Sequence, residues 1–465
     1  MPRDAGSASG VWYIIPYEKH CFEGDSVKLA VVSLGCDKAT VDSERLVGEL
    51  VGHGAKVIEE ADTADVVLIN TCGFIEAAKQ ESIEAIVEAG QWREKGSVKA
   101  VVVVGCLVQR YQQELAKEIP EVDLLLNFGE LHKLVPELAQ RGLIDDPTAS
   151  HPGVRTFLGD NRHVRYLKIS EGCDHGCSFC AIPLMRGKHR SEPLERLIRE
   201  AQQLEADGAQ EINLVAQDLG HWGRDLGKGG PRLPELLDGL MAETSVPWYR
   251  LLYVYSAGIT PQLIERIAKE DRIVPYIDIP IQHACDAMLE RMRRPERQDT
   301  IRRRVSELRD AVPDIAIRTT CIVGFPGETD QDFEILKEFA EEMQFERLGV
   351  FTYSEEEGTK AAEFENDVPD ELKRARQEEL LEIQRFVSEE RLSRFVGRET
   401  QVLVDEILDP DVDGATHVGR VKWQADDVDG VTRVSAGGWA KPGEFLDVRL
   451  SGNQDCDFDA VGKAE

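Results

Sequence analysis

Short apolar runs alternate with longer amphipathic stretches from about residue 27 onward. Runs rich in Val, Ile and Leu at 28–34, 65–70 and 99–104 have the length of buried strands. A helical period follows each run, around 41–53, 76–91 and 109–118. Strands that alternate with helices predict a doubly wound α/β domain with a parallel sheet, at 27–145.

The same alternation continues over 159–390 at a spacing of about 30 residues, which is typical of barrel units. Six strands are predicted, at 165–170, 211–216, 250–254, 276–281, 315–323 and 347–353. They indicate a partial (β/α) barrel with its active face at the carboxyl ends of the strands. A charged amphipathic stretch at 370–396 predicts a linker helix that ends at Gly397.

The pattern changes at about residue 398 to short alternating strands, at 400–405, 416–422, 432–435 and 445–450. Asp-Gly and Gly-Gly turns separate them. We predict a small antiparallel β-barrel of the oligonucleotide-binding kind at 398–465. This segment carries seven Lys and Arg residues against fifteen Asp and Glu residues, which is the wrong sign for binding phosphates.

Composition narrows the class of protein. The 465 residues are 42% hydrophobic with a formal net charge of −31, and no apolar run reaches the ~18–20 residues of a membrane helix. Residues 1–26 lack a signal-peptide pattern and are expected to form a poorly ordered tail. Ten cysteines without such a signal indicate reduced thiols and a cytoplasmic protein. The acidity disfavours naked RNA and favours a basic protein partner, although solubility or adaptation to salt explains it equally simply.

Three cysteines, Cys173, Cys177 and Cys180, form a C-x-x-x-C-x-x-C run directly after a predicted strand. Three thiolates at this spacing can hold a four-iron, four-sulfur cluster and leave one iron open for substrate chemistry. A zinc knuckle or a disulfide loop is the simpler alternative, but no second Cys or His pair lies nearby in the sequence. With Phe179 before the last cysteine, the run resembles the radical S-adenosylmethionine (SAM) superfamily. That resemblance implies reductive cleavage of SAM to a 5′-deoxyadenosyl radical.

Three further cysteines, Cys36, Cys72 and Cys106, each follow a strand of the first domain. The carboxyl ends of parallel strands line one crevice, and the following helix favours a thiolate there. One such cysteine is usually structural, whereas three in equivalent places predict a second cluster with an open iron.

Other residues fall on the carboxyl rim of the predicted barrel: Gln217, Asp218, Gln282, His283 and the Gly324–Glu328 turn. With Phe179, they are candidates for binding SAM or substrate, and for each of them a structural loop residue is an equally simple interpretation. Seven arginines between Arg291 and Arg304 are typical of a solvated helix face, or of a surface that meets RNA or acidic groups. The remaining cysteines, Cys21, Cys285, Cys321 and Cys456, match no ligand pattern.

Several motifs together resemble those of the methylthiotransferases, and within that family those of the RimO type. The resemblance covers about 27–465 and includes a terminal unit that resembles a TRAM domain. The motifs are Ser33-Leu-Gly-Cys36, Val41-Asp-Ser-Glu44, Cys180-Ala-Ile-Pro-Leu-Met-Arg-Gly187, Val215-Ala-Gln-Asp218, Asp278-Ile-Pro-Ile-Gln-His283, Val323-Gly-Phe-Pro-Gly-Glu-Thr329 and Arg347-Leu-Gly-Val-Phe-Thr-Tyr353. The sequence departs from the pattern at Asp37, Ala39, Gly176 and Glu192, which leaves the cluster ligands intact and puts substrate contacts near Glu192 in question.

The resemblance implies two [4Fe-4S] clusters, an auxiliary one at Cys36, Cys72 and Cys106 and a SAM-cleaving one at Cys173, Cys177 and Cys180. It implies methylthiolation of the β-carbon of an aspartate in ribosomal protein S12. A flavodoxin- or ferredoxin-type protein would supply electrons, and no membrane partner is expected.

Two alternatives remain at the level of sequence. A tRNA adenosine methylthiotransferase shares the two cysteine sets, but the acidic terminal segment disfavours a tRNA substrate. A non-catalytic iron–sulfur protein, such as a redox sensor, would need neither a second open cluster nor a SAM-binding rim.

Overall fold

The computed structural model describes residues 26–144, 155–159, 163–435 and 437–463. Apart from Ser26, the tail expected at 1–26 lies outside the described residues, as does Cys21. The chain folds as two compact units. Among the described residues, the first unit comprises 26–144 and 155–159 together with Ala181–Gly187, and the second comprises 163–180, 188–435 and 437–463. None of the helices that the structure describes is long and apolar enough to cross a lipid bilayer.

The first unit is a doubly wound α/β domain, as predicted. Its elements are β1 (Val27–Ser33), α1 (Asp37–Gly52), β2 (Ala55–Val57), β3 (Val66–Thr71), α2 (Glu76–Glu94), β4 (Ala100–Gly105), α3 (Cys106–Glu118), β5 (Leu124–Leu126), α4 (Leu134–Gln140) and the later α5 (Ile182–Arg186). The five strands are all parallel, in the order β2-β1-β3-β4-β5. Apolar side chains are buried on both faces of the sheet because helices cover both.

The second unit contains an open six-stranded parallel sheet in the order β13-β12-β11-β10-β9-β6. Its elements are β6 (Val164–Lys168), β7 (Ser170–Glu171), β8 (Arg190–Ser191), α6 (Leu194–Ala206), β9 (Glu211–Val215), α7 (Leu233–Glu243), β10 (Trp248–Leu251), α8 (Pro261–Lys269), β11 (Ile273–Asp278), α9 (Asp286–Arg291), α10 (Gln298–Ala311), β12 (Ala316–Val323), α11 (Asp330–Met343), β13 (Arg347–Thr352) and α12 (Asp370–Ser393). All six predicted strands are present. The predicted linker helix is α12, and it ends four residues before Gly397.

A closed five-stranded barrel follows, with α13 (Pro410–Asp413) between its first two strands: β14 (Glu399–Ile407), β15 (His417–Val421), β16 (Thr432–Ser435), β17 (Phe445–Gln454) and β18 (Asp457–Gly462). The prediction of a small β-barrel is confirmed with two differences. A fifth strand, β18, was not predicted, and it pairs in parallel with β16, although the other pairs are antiparallel.

The terminal barrel shares a hydrophobic core with the six-stranded sheet. Trp248 and Tyr276 of the sheet are buried in one cluster with Phe395, Trp423 and Phe458. The rings of Phe395 and Trp423 stack with their centroids 3.9 Å apart. The second unit is therefore one packed body in which the barrel covers part of the sheet.

Candidate functional site

The register of the first sheet brings three cysteines to one edge. Thr71 at the end of β3 is paired with Gly105 at the end of β4, so that Cys72 and Cys106 leave the sheet at the same level. Cys36 follows β1, the neighbour of β3, and directly precedes α1. This edge is the carboxyl end of the sheet, where ligands bind in open α/β folds.

Glycines next to these cysteines allow the close approach of the three segments. Gly105 has φ +102°, and a Cβ there would lie 2.6 Å from the backbone nitrogen of Thr71. Gly35 has φ +107°, and a Cβ there would lie 3.4 Å from Sγ of Cys72. Only glycine adopts these conformations readily, and a side chain would meet β3 at position 105 and Cys72 at position 35.

The three thiols affect one another electrostatically. Burial raises the pKa of Cys72, and the neighbouring Cys36 raises this pKa further. Burial raises the pKa of Cys106 to about 11, with contributions from Cys72 and Cys36, while the guanidinium of Arg186 opposes the increase. Ligation of a metal ion would therefore have to displace thiol protons.

The second set of cysteines lies in a loop that is held at both ends. Strands β7 and β8 pair at the base of the loop, with Glu171 opposite Arg190. Within it, the backbone nitrogen of Ser178 donates to Met292 O at 3.0 Å, and the Ser178 carbonyl accepts from Ala361 N at 2.7 Å. These bonds fix the middle of the cysteine run on the rim of the sheet.

Sγ of Cys177 is buried among polar groups of the rim. It lies 3.2 Å from the hydroxyl of Tyr255 and 4.0 Å from Nη1 of Arg294. Cys180 N donates to Cys177 O at 3.3 Å, which forms a turn between these two residues. Burial raises the pKa of Cys173 to about 11, and the Cys177 thiol adds to the increase.

Asp218, which follows β9, contacts both the cysteine loop and the segment that follows β10. Its Oδ2 is 2.8 Å from Nε2 of His175, which lies between Cys173 and Cys177 in sequence. Its Oδ1 accepts from Tyr255 N at 3.3 Å. Burial lowers the pKa of the neighbouring His221 to about 4 although Asp218 opposes the shift, so this imidazole is neutral at physiological pH. The sequence thus predicted one residue, Asp218, of a larger polar cluster.

The other rim residues have mixed surroundings. Nε2 of Gln217 donates to Glu171 at 3.1 Å, and Phe179 packs against an apolar cluster that contains Met292 and Tyr353. Gln282 has the unusual φ of +70° and makes an isolated parallel bridge to Cys321. Left-handed non-glycine residues of this kind cluster at functional sites.

The Gly324–Glu328 turn is tied to α12. A Cβ at Gly324 would lie 2.9 Å from Cβ of Lys373, and Glu328 accepts from Arg376 at 2.9 Å. Burial raises the pKa of Glu328 to about 7, although Arg376 opposes the shift. These contacts give Gly324 a structural role, and its contact with SAM or substrate remains a prediction.

The arginine run does not form one solvated helix face. Arg294 is buried and paired with Glu296 at 2.7 Å, and Arg302 and Arg304 pair with acidic side chains of the same unit. The helical interpretation fails for Arg294 because α10 begins only at Gln298.

Both cysteine sets fit an iron–sulfur cluster. Soft thiolates are the ligands that such clusters require, and each set supplies three of them. In the first set the thiols come from three neighbouring strand ends, and in the second they come from one loop.

Three residues of this polar cluster, His175, Tyr255 and Arg294, were not among the predicted site residues. His175 lies inside the cysteine run, and Tyr255 follows β10 at the same carboxyl edge as the other rim candidates. Their positions in the sequence could therefore have identified both as candidates. Nothing in the sequence separates Arg294 from its neighbouring arginines, since its burial depends on packing between distant segments.

Three family models match the chain, in the order of its three parts. They are described as an uncharacterized protein family, UPF0004, at residues 28–127, the radical SAM superfamily at 167–340 and the TRAM domain at 396–461.

Curated relatives extend the match to nearly the whole chain. The ribosomal protein uS12 methylthiotransferase RimO of Geobacter sulfurreducens is 42% identical over 94% of this chain and 98% of its own. The protein of the same name from Symbiobacterium thermophilum is 42% identical over 95% of this chain and 92% of its own. Among solved structures, the cobalamin-dependent SAM radical enzyme OxsB matches 78% of this chain and 56% of its own, at 12% identity and a TM-score of 0.49, which is too distant to carry an argument. On the strength of the curated relatives, this chain belongs to the RimO family of radical-SAM methylthiotransferases.

Proposed function

We propose that this protein transfers a methylthio group to the β-carbon of an aspartate in ribosomal protein uS12, also called S12. The family supports this substrate, and the acidic terminal barrel is suited to a basic protein. The reaction needs radical chemistry because no side-chain base can remove an unactivated C–H hydrogen as a proton at neutral pH. The acidity also disfavours a tRNA substrate, since nucleic-acid binding depends on neutralising phosphates.

Two [4Fe-4S] clusters, one on each set of three cysteines, are part of this proposal. When bound, a cluster on Cys173, Cys177 and Cys180 would supply the electron that cleaves SAM to methionine and a 5′-deoxyadenosyl radical. A cluster on Cys36, Cys72 and Cys106 would deliver the sulfur, and a second SAM would provide its methyl group. The observation that carries the proposal is the convergence of Cys36, Cys72 and Cys106 at one sheet edge, because three thiols there can hold the second cluster that sulfur delivery would use.

The described residues have distinct tasks in this proposal. The thiolates hold the clusters, and the pairing of β7 with β8 fixes the position of the SAM-cleaving set. The proposed rim residues Gln217, Asp218 and Gln282 orient SAM or substrate. A flavodoxin- or ferredoxin-type protein delivers electrons, and the reaction takes place in the cytoplasm, where thiols stay reduced.

Iron content tests the two-cluster assignment. Anaerobically reconstituted protein should hold about eight irons per chain, and the triple Ala variant of Cys36, Cys72 and Cys106 about four. The triple variant should still produce 5′-deoxyadenosine and lose methylthio transfer. A Cys177→Ala variant, as the matched change in the other set, should lose 5′-deoxyadenosine. If the triple variant retains all of its iron, the auxiliary assignment is wrong.

A further inference from the structure

The hydroxyl of Tyr255 is placed to donate a hydrogen bond to a cluster ligand. It lies 3.2 Å from Sγ of Cys177. A cysteine that ligates iron is a thiolate without a proton, so in the loaded protein only the hydroxyl can be the donor. Bonds of this kind, with an ionised acceptor, are roughly twice as strong as neutral ones.

The ring of Tyr255 is held between two groups. The imidazole of His175 stacks on it with centroids 4.0 Å apart and an interplanar angle of 4°. The guanidinium carbon of Arg294 is 3.8 Å from the same centroid. Two groups this close to one centroid must take opposite faces of the ring. Since Asp218 also bonds both His175 and the Tyr255 backbone, the ring holds the hydroxyl oxygen in place beside the sulfur.

Arg294 places a buried positive charge beside the same sulfur. Its Nη1 is 4.0 Å from Cys177 Sγ, and its Nη2 donates to Pro280 O at 2.6 Å and to Glu296 at 2.7 Å. The Arg294 side chain is completely buried, and that of Glu296 almost completely. The guanidinium therefore acts on the sulfur through a medium that screens charge weakly.

Hydrogen bonds and positive charge at a cluster sulfur favour the reduced form. One-electron reduction makes a cluster more negative by one charge, and part of that charge resides on its sulfur ligands. Hydrogen bonds to the sulfurs, net charge and solvent exposure are the protein features that set the potential. Both Tyr255 and Arg294 therefore act in the same direction.

We propose that Tyr255 and Arg294 are positioning residues that raise the reduction potential of the cluster held at Cys173, Cys177 and Cys180. The electron comes from the flavodoxin- or ferredoxin-type reductant. A higher reduction potential of the cluster makes electron transfer from this reductant more favourable. This inference rests on the proposed function, because it requires a cluster on these three cysteines.

The test is a redox titration followed by electron paramagnetic resonance. It uses full-length protein in which Cys36, Cys72 and Cys106 are Ala, so that only the cluster at Cys177 contributes. Tyr255→Phe should lower the midpoint potential enough to shift the reduction equilibrium about tenfold, or about 59 mV for a one-electron couple. Tyr276→Phe is the matched control, because Tyr276 is also buried and its hydroxyl has no hydrogen-bond partner among the described residues. The double variant Arg294→Gln with Glu296→Gln removes the buried charge pair without leaving one charge alone, and it should also lower the potential.

Equal midpoint potentials for Tyr255→Phe and Tyr276→Phe, at equal iron content, would overturn the inference. An unchanged midpoint potential in the double variant would show that Arg294 does not affect the reduction potential of the cluster. If the protein with Cys36, Cys72 and Cys106 changed to Ala binds no iron and gives no paramagnetic resonance signal, the proposed cluster at Cys173, Cys177 and Cys180 is wrong. That result differs from the failure of the inference about Tyr255, in which iron is bound and the potentials are equal.

Discussion

At the scale of single residues, Gly105 decides how closely the segment of Cys106 approaches that of Cys72. Its φ of +102° and the neighbouring Thr71 backbone leave no room for a side chain. The grouping of the six cysteines into two sets could be predicted because spacing and strand position are sequence features, and their role as cluster ligands stays a prediction. The stack of His175, Tyr255 and Arg294 could not be predicted, because it forms only when three distant segments pack together.

Gly105→Ala should therefore damage the first cysteine set. We expect the free energy of unfolding to fall by about 2–3 kcal/mol or more, because the strain of a positive φ adds to the steric overlap of the new Cβ with β3. Reconstituted protein should lose about half of its iron. Gly142→Ala is the matched control, since Gly142 has φ +69° and no atom of the described residues lies within 4 Å of the added Cβ. It should lower the free energy of unfolding by only about 1 kcal/mol, with no loss of iron. Full iron content in Gly105→Ala would contradict this interpretation.

Glu328 should make the stability of the protein depend on pH. Burial raises its pKa to about 7 from an ordinary value of 4.5. The folded state therefore binds the proton more tightly than the unfolded state between these values. The associated stability is fully present below about pH 4.5 and is lost as pH rises through 7.

Glu328→Gln removes this titration. The wild type should lose stability relative to the variant from pH 4.5 to 7, by a few kcal/mol at most, since one pKa unit corresponds to about 1.4 kcal/mol. Denaturant unfolding of both proteins at a series of pH values measures the difference. Parallel stability curves would show that burial does not perturb this carboxyl group.

At the scale of elements, the long strands were predictable and the short ones were not. Strands β2 and β5 have three residues each, too few for a period to emerge, and β7 and β8 have two. Strand β18 alternates buried Phe458 and Ala460 with exposed Asp459 and Val461, so a period of two was present in the sequence there. The shortest pair, β7 with β8, nevertheless closes the loop of the second cysteine set.

Ser191 on β8 should be important for this closure. Its hydroxyl contacts Asp225 Oδ1 at 2.5 Å and accepts from Gly223 N at 2.8 Å. Ser191→Ala leaves the buried Gly223 N–H without this acceptor, which should lower the free energy of unfolding by about 1–3 kcal/mol. Proteolytic cleavage within 172–190 should also become faster. Ser306→Ala, at an exposed serine, should change neither property, and identical cleavage rates in the two variants would contradict the role of Ser191.

At the scale of the whole second unit, a buried ionic network joins the terminal barrel to the sheet. Glu211 on β9 accepts from Arg250 at 2.7 Å and from Arg420 of the barrel at 2.6 Å. The sequence indicated the barrel and its net acidity. It did not indicate this docking, because the partners are separated by some 200 residues and each arginine resembles any other in the sequence.

Glu211→Ala should destabilise the sheet and the terminal barrel together. Removing one partner of a buried charge network typically costs about 3–5 kcal/mol. We expect one cooperative unfolding transition at lower denaturant, observed by tryptophan fluorescence and circular dichroism alike. Glu265→Ala removes an exposed pair with Lys269 and should produce no measurable change. Two separate transitions in the wild type would show that the barrel and the sheet fold independently.

Mass spectrometry of the reaction products can identify the substrate that receives the methylthio group. Reconstituted protein, SAM, a flavodoxin-type reductant and a sulfur source are incubated with purified uS12 and, separately, with tRNA. We predict one added methylthio group on an aspartate of uS12, none on tRNA, and none on either with the triple Ala variant of Cys36, Cys72 and Cys106. A methylthiolated adenosine in the tRNA with unmodified uS12 would show that the enzyme modifies tRNA and that uS12 is not its substrate.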